Sequence, residues 1–399
     1  MASPAQTAKR KRPGRIARVR ASWRRLTEGL EIQQLWGQFI SETKASYRLY
    51  SADVDWDEVS RGRTRFRRLW RSVKAVFMAM LMKLSPSRRV LLLIAIVLLV
   101  INVQFGEGPS AVAIDTSVLG VLILFLLLAL ELADRVTMKR DLEIAREIQE
   151  WLVPSQPPIF PGVDIAFATR PQNTVAGDYY DAFPRPQSLS RAPEAAPLLM
   201  AVADVAGKSV PAALLMATFQ ASLRALAATP ATLGDIVTGL DRYCRAHSLE
   251  GRRFTTAFLA EIDGKTLEMT YVNAGHNDPI LRRASGAIER LSVGGPPFGL
   301  PLFSDAENLY PTGRVRLSAG DVLIIFTDGV VEAVDDSGTE FGEARLLACI
   351  YGAPAQSARE MLQRIIGEVN AFAGFARQHD DITCLLLRVD APGSASVSA

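Results

Sequence analysis

Two uninterrupted apolar runs constrain this chain most. Val90–Val103 reads VLLLIAIVLLVINV and Val118–Leu130 reads VLGVLILFLLLAL. Helices of water-soluble domains keep a polar face, so segments this apolar all round call for another apolar medium or a deep core. Each pure run is shorter than the roughly 20 residues that span a bilayer. Extended to Phe105 and back to Ala111, the runs reach about 16 and 20 residues, and the extension admits Asn102, Gln104 and Asp115 beside a short turn. The expectation is a transmembrane helical hairpin over residues 89–132; a pair of buried core helices is the alternative. Lys74, Lys83, Arg88 and Arg89 precede it, Lys139 and Arg140 follow it, and the turn carries only Glu107 and Asp115 as charges. The positive-inside rule then puts both ends in the cytoplasm.

Charge divides the chain in the same place. Residues 1–89 hold 21 Lys/Arg against 7 Asp/Glu, a net of +14, whereas the whole chain is +3, leaving −11 for the rest. The basic N-terminal region, residues 1–88, shows helical apolar stripes such as Ile32, Leu35, Trp36, Phe39 and Ile40. It suits an anionic leaflet, where each Lys or Arg is worth about 1 kcal/mol, so membrane lipid is an expected partner. No reading helix or aromatic-basic platform points to nucleic acid. The three cysteines, Cys244, Cys349 and Cys384, lack CxxC spacing and fit a reducing compartment, not a disulfide scaffold or a thiolate zinc site.

Residues 133–155 read as a linker helix closed by Pro154, Pro157, Pro158 and Pro161. Met138, Leu142, Ala145, Gln149 and Leu152 form a heptad seam with one polar member, and Ile144, Ile148 and Trp151 form a second stripe. Two readings stand: an amphipathic helix lying on its own domain, or a dimeric signalling helix over 133–153. Beyond it, residues 156–390 alternate irregularly between β-rich runs (165–169, 179–183, 198–205, 255–262, 268–273, 321–327, 382–389) and helical stretches (210–228, 233–247, 343–351, 358–372). Interleaved groups of this kind suggest α+β layers. Pro184–Pro197 reads as a loop and 391–399 as a disordered tail.

Acidic residues recur at the ends of these strands. Asp178 opens one in AGDYYDAF, Asp204 closes another before Val205-Ala206-Gly207-Lys208, Asp328 follows VLIIF and precedes Gly329, and Asp380 and Asp381 precede the last strand. Converging carboxylates repel and ask for a cation. With few His and Cys present, oxygen ligands select Mg²⁺ or Mn²⁺ over zinc. Gly177, Gly207 and Gly329 suit close backbone approach. Any single Asp here is also a plausible turn residue.

The stretches AREIQEWLVPSQPP, AGDYYDAF, ADVAGKSVPAALLMA, TTAFLAEID, YVNAGHNDPIL, GGPPFGL, GDVLIIFTDGVVEA, FGEARL and DDITCLLLRV stand in one order over residues 145–389. Together they resemble the SpoIIE/RsbU-like branch of the metal-dependent protein phosphatase superfamily. The resemblance implies an αββα sandwich and hydrolysis of phosphoserine or phosphothreonine on a protein. It implies two ions, with Asp178 bridging them, Asp204 and the carbonyl of Val205 on one, and Asp328 and Asp380 on the other; Asp381 is the second choice for the last ligand. Lys208 is the nearest cation and a candidate to steer phosphate. His276, in NAGHN, either tunes the site or stabilises a turn. Ala176 and Ser209 stand where the branch often has Gly. The implied substrate is an anti-sigma-factor antagonist and the implied location the bacterial cytoplasmic (inner) membrane, as a multi-pass protein. A catalytically silent membrane scaffold is the alternative; the presence of all four ligand aspartates weighs against it.

Overall fold

The computed structural model describes residues 65–101, 103–105, 112–114, 116–185, 196–248, 253–300, 308–351 and 357–390. The expected basic arm up to residue 64 and the tail after 390 lie outside the described residues. Contacts divide the chain into two compact units, Met1–Arg135 and Val136–Ala399.

In the first unit, α1 (Arg65–Lys83) leads into α2 (Pro86–Val100), which carries Pro at its first turn, where no backbone N–H is needed. A short antiparallel ladder, β1 (Val103–Phe105) with β2 (Val112–Ile114), stands where a plain turn is expected from the sequence. Then α3 (Ser117–Leu152) begins. Its Gly120 lies against α2: an added Cβ would meet the Ala95 carbonyl oxygen and Leu99 Cγ at 3.0 Å. Such a small residue lets two helix backbones approach closely. Thr116 Oγ1 donates to the Leu98 carbonyl at 3.0 Å, and Arg88 pairs with Asp134 at 2.6 Å and Glu131 at 3.3 Å. Leu93, Val97, Leu122, Phe125 and Leu128 remain exposed.

Among the described residues, Ser117–Leu152 and Val210–Ala227 are long and apolar enough to cross a membrane. The second is a core helix of the other unit. The 15-residue α2 extends only about 22 Å at 1.5 Å per residue, less than the roughly 30 Å hydrocarbon thickness.

The second unit has four layers. One sheet runs β10–β7–β6–β5–β4, with β11 also on β7; the other runs β3–β13–β12–β8–β9. Here β3 is Val163–Arg170, β4 Tyr179–Pro184, β5 Leu198–Val205, β6 Thr255–Ile262, β7 Glu268–Ala274, β8 Ile280–Arg282, β9 Ile288–Arg290, β10 Gly294–Gly295, β11 Gly313–Arg316, β12 Val322–Phe326 and β13 Ile382–Val389. Period-two alternation assigns each strand face to a layer. On β5, Leu198, Met200 and Val202 enter the core between the sheets, while Leu199, Ala201, Ala203 and Val205 meet α4 (Val210–Ala227) and α5 (Leu233–Ala246). On β12, Leu323 and Ile325 face the inter-sheet core, while Val322, Ile324 and Phe326 meet α7 (Gly342–Tyr351) and α8 (Ala358–Ala373). A single turn, α6 (Asp328–Val331), follows β12. Outer helices over two buried sheets make the αββα sandwich.

Candidate metal and phosphate site

Strand register brings the acids together. Tyr179 pairs with Ala203 across β4 and β5, so one step further Asp178 comes opposite Asp204. On the other sheet Phe326 pairs with Cys384, which carries Asp328 and the Asp380-Asp381 pair to the same end of β12 and β13. Each sheet thus contributes one half of the cluster.

Asp178 is almost fully buried, and its Oδ2 accepts the Thr327 hydroxyl at 2.9 Å. Burial pushes its carboxyl well above the usual carboxylate range, and the neighbouring Asp204 adds to the rise. Asp204 is pushed up to about 7, first by burial and then by the charges of Asp328, Asp380 and Asp381. Asp328 is raised by burial and by Asp380. These mutual effects place the four expected ligands and Asp381 in one electrostatic cluster.

Asp381 differs from the others. Its Oδ1 and Oδ2 accept the backbone N–H groups of Gln172 and Gly177, each at 2.6 Å, and so tie the loop before Asp178 to the last strand. Asp380 accepts the Asp381 N–H at 2.9 Å through Oδ1 and meets Lys208 Nζ at 3.1 Å through Oδ2. Gly329 is required where it stands, because a Cβ there would collide with the Asp381 carbonyl. Gly177 faces the Val205 carbonyl oxygen, 3.2 Å from where its Cβ would be.

The turn after Asp204 is built with strain. Gly207 has φ +122°, and a Cβ there would strike the Arg253 guanidinium, whose Nη1 donates to the Ala206 carbonyl at 3.1 Å. Ser209 has φ 64° and ψ −147°, a region that side chains avoid. The branch that the sequence resembles often has Gly at this position, and the conformation suits Gly; holding a seryl residue there costs on the order of 1–3 kcal/mol.

His276 is buried away from water, and burial lowers its pKa to about 4. Its Nδ1 lies 3.0 Å from Thr256 Oγ1, its N–H donates to Asn273 Oδ1 at 2.7 Å, and Asn273 Nδ2 returns a bond to its carbonyl at 3.0 Å. This is the turn-stabilising arrangement.

Three contributors carry no strong sequence signal. Thr327 and Arg253 are generic residue types at strand ends. Gln149 is the third: its Nε2 donates to the Ala176 carbonyl at 2.7 Å and its Oε1 accepts the Ala176 N–H at 2.9 Å. The polar member of the expected heptad seam is therefore engaged by its own domain, two residues before Asp178. Ile144, Ile148 and Trp151 are the exposed stripe.

The donor set is all hard oxygen, which fits Mg²⁺ or Mn²⁺. Among the described residues no three of the acidic, His or Cys side chains are gathered closely enough to enclose an ion as they stand. Thr327 and Lys208 hold Asp178 and Asp380 instead, so an ion would have to draw the carboxylates together.

Residues 195–390 match the family described as Stage II sporulation protein E. Phosphoserine phosphatase RsbU of Bacillus subtilis is 27% identical over 252 residues, 63% of this chain and 70% of that protein. Over the matched residues the chain is similar to the SpoIIE/RsbU-like branch of the metal-dependent protein phosphatases. By class it is a protein serine/threonine phosphatase. Protein IcfG of Synechocystis is 25% identical over 288 residues, 65% of this chain but only 43% of that protein. The SiaA-PP2C domain of Pseudomonas aeruginosa shares the fold of the phosphatase domain, with a TM-score of 0.55 at 22% identity over 65% of this chain and 99% of that one.

Proposed function

We propose that this chain is a membrane-anchored phosphatase that removes phosphate from serine or threonine of a partner protein using two divalent ions, Mn²⁺ or Mg²⁺. The observation that carries the reading is the convergence of Asp178, Asp204, Asp328 and Asp380 from the ends of two different sheets into one repelling cluster. Asp178 would bridge, Asp204 and the Val205 carbonyl would hold one ion, and Asp328 and Asp380 the other. When bound, the ions supply the Lewis acidity that makes water nucleophilic near neutral pH. Asp381, with both oxygens on backbone N–H groups, sets the Asp178 loop and leaves the last ligand position to Asp380. Thr327 orients Asp178. No side-chain nucleophile is needed.

The family supports an anti-sigma-factor antagonist as substrate in a bacterial signalling pathway. The α2–α3 apolar surface supports attachment to the cytoplasmic membrane, with the N-terminus and the phosphatase domain on the cytoplasmic side as the flanking charges indicate. Dimerisation through helix 133–153 would use Ile144, Ile148 and Trp151, since Gln149 is occupied within the domain.

The test is Asp328→Asn in the full-length chain, following Mn²⁺-dependent phosphate release from a phosphoserine protein. A fall of at least about a hundredfold is expected, the scale of losing a preorganised electrostatic contact. Unchanged turnover would overturn the mechanism.

A further inference from the structure

Lys208 is the one sequence-noted residue whose position in the site the chemistry above does not use. Its stem leaves the strained turn between Gly207 and Ser209, and its ammonium reaches across to the loop before β13. There it lies 3.1 Å from Asp380 Oδ2 and donates to the His379 backbone carbonyl. Glu332 lines the same cavity as Lys208 and Asp380. A carboxylate oxygen, a carbonyl oxygen and a second carboxylate nearby are the surroundings a hard divalent cation takes.

We propose that Lys208 is a built-in stand-in cation for the ion position of Asp328 and Asp380, held there when that position carries no metal and displaced when metal binds. This rests on the assignment of those two aspartates as ligands. An ammonium and a divalent ion compete for Asp380 Oδ2, because two positive charges this close repel each other. The arm has somewhere to go: a cavity of about 230 Å³ adjoins it, lined in part by Arg170, Glu332, Asn370, Gln378 and His379. The half-exposed ammonium makes the contact weak enough to yield. The consequence is that the second ion competes with a residue of the protein itself, so this position fills last and at higher metal concentration than it would without the lysine.

Full-length protein stripped with EDTA is titrated with Mn²⁺ alone, following free Mn²⁺ by electron paramagnetic resonance and heat by calorimetry, with no substrate present. Lys208→Met and Lys208→Gln are expected to tighten the weaker Mn²⁺ site about fivefold, the upper range for a half-exposed ion pair. Lys208→Arg, which keeps the charge, should stay within about twofold of the parent chain. Neutral variants that bind Mn²⁺ no more tightly than the parent, or more weakly, overturn the inference. Asp328→Asn run alongside separates the two levels: if it leaves the weaker site intact, the ligand assignment itself has failed, whereas loss of that site with unchanged Lys208→Met binding sinks only the role of the lysine.

Discussion

Asp178 and Asp181 stand three residues apart in one motif and are both buried, yet the protein treats them in opposite ways. Asp181, on β4, receives Arg224 through two bonds of 2.8 Å and the Tyr179 hydroxyl at 2.6 Å. Arg224 in turn lies over the Phe183 ring at 3.7 Å. Its negative charge is met by the fold, and it fastens β4 to α4. Asp178 has hydroxyls for partners, those of Thr327 and Thr383, and faces Asp204. A buried acid that serves structure arrives with its own cation. One that serves chemistry is left to share charge with other acids, and the fold tolerates the cost because a ligand relieves it.

The largest expected effect concerns the side of the comparison without a cation. In metal-free protein, Asp204 holds its proton up to about pH 7, whereas in the unfolded chain it releases it near 3.8. Protonation therefore favours the folded state. This contribution is complete below about pH 4 and is lost as pH rises through about 7, by a few kcal/mol. Urea unfolding in EDTA between pH 4 and 8 should show that loss, and saturating Mn²⁺, which binds the ionised carboxylates, should flatten it. A flat profile in EDTA would erase the distinction between the two acids.

Arg224→Met attacks the other side. It leaves Asp181 buried without its cation and should cost about 2–3 kcal/mol, below the usual range for a broken buried pair because Arg224 is partly exposed. Phosphatase activity per folded molecule should be retained. Equal losses of activity and stability would show that Asp181 belongs to the catalytic cluster after all. Tyr179→Phe should have the smallest effect, about 1.5 kcal/mol, the low end for one hydrogen bond to a charged group, with Mn²⁺ affinity unchanged by calorimetry.

The sequence was most legible where side-chain period and strand ends coincide. The long strands of the sandwich and its helices fall within a residue or two of their expected bounds, because alternating apolar residues specify both layer and direction. The strands β8 to β11 were not legible: with two to four residues each, they show no period, and their pairing is decided by the strands they join. The four ligand candidates were legible because each is an acid at a strand end with a glycine or another acid within three residues. Thr327, Arg253 and the anchoring role of Asp381 were not, since hydrogen bonds that span 47, 149 and 209 residues leave no local trace. Gln149 lay between these cases. Its place on a helical stripe was evident, but periodicity names a face and not the surface it meets. The expected boundary at residues 132–133 is crossed by a continuous helix, because nothing from Ala133 onward breaks it before Pro154.

That helix ends in an amide that behaves like a strand residue. Gln149 offers Ala176 one donor and one acceptor, as an adjacent strand would, and so adds a rung to the loop from the side of a helix. A helix advances 1.5 Å and turns 100° with each residue. The rung is therefore a phase-sensitive fitting: a quarter turn of the helix or a one-residue slide breaks both bonds together. The backbone two residues before Asp178 is thus fastened to one face of this helix, and an amide far from the acids in the chain becomes part of their support.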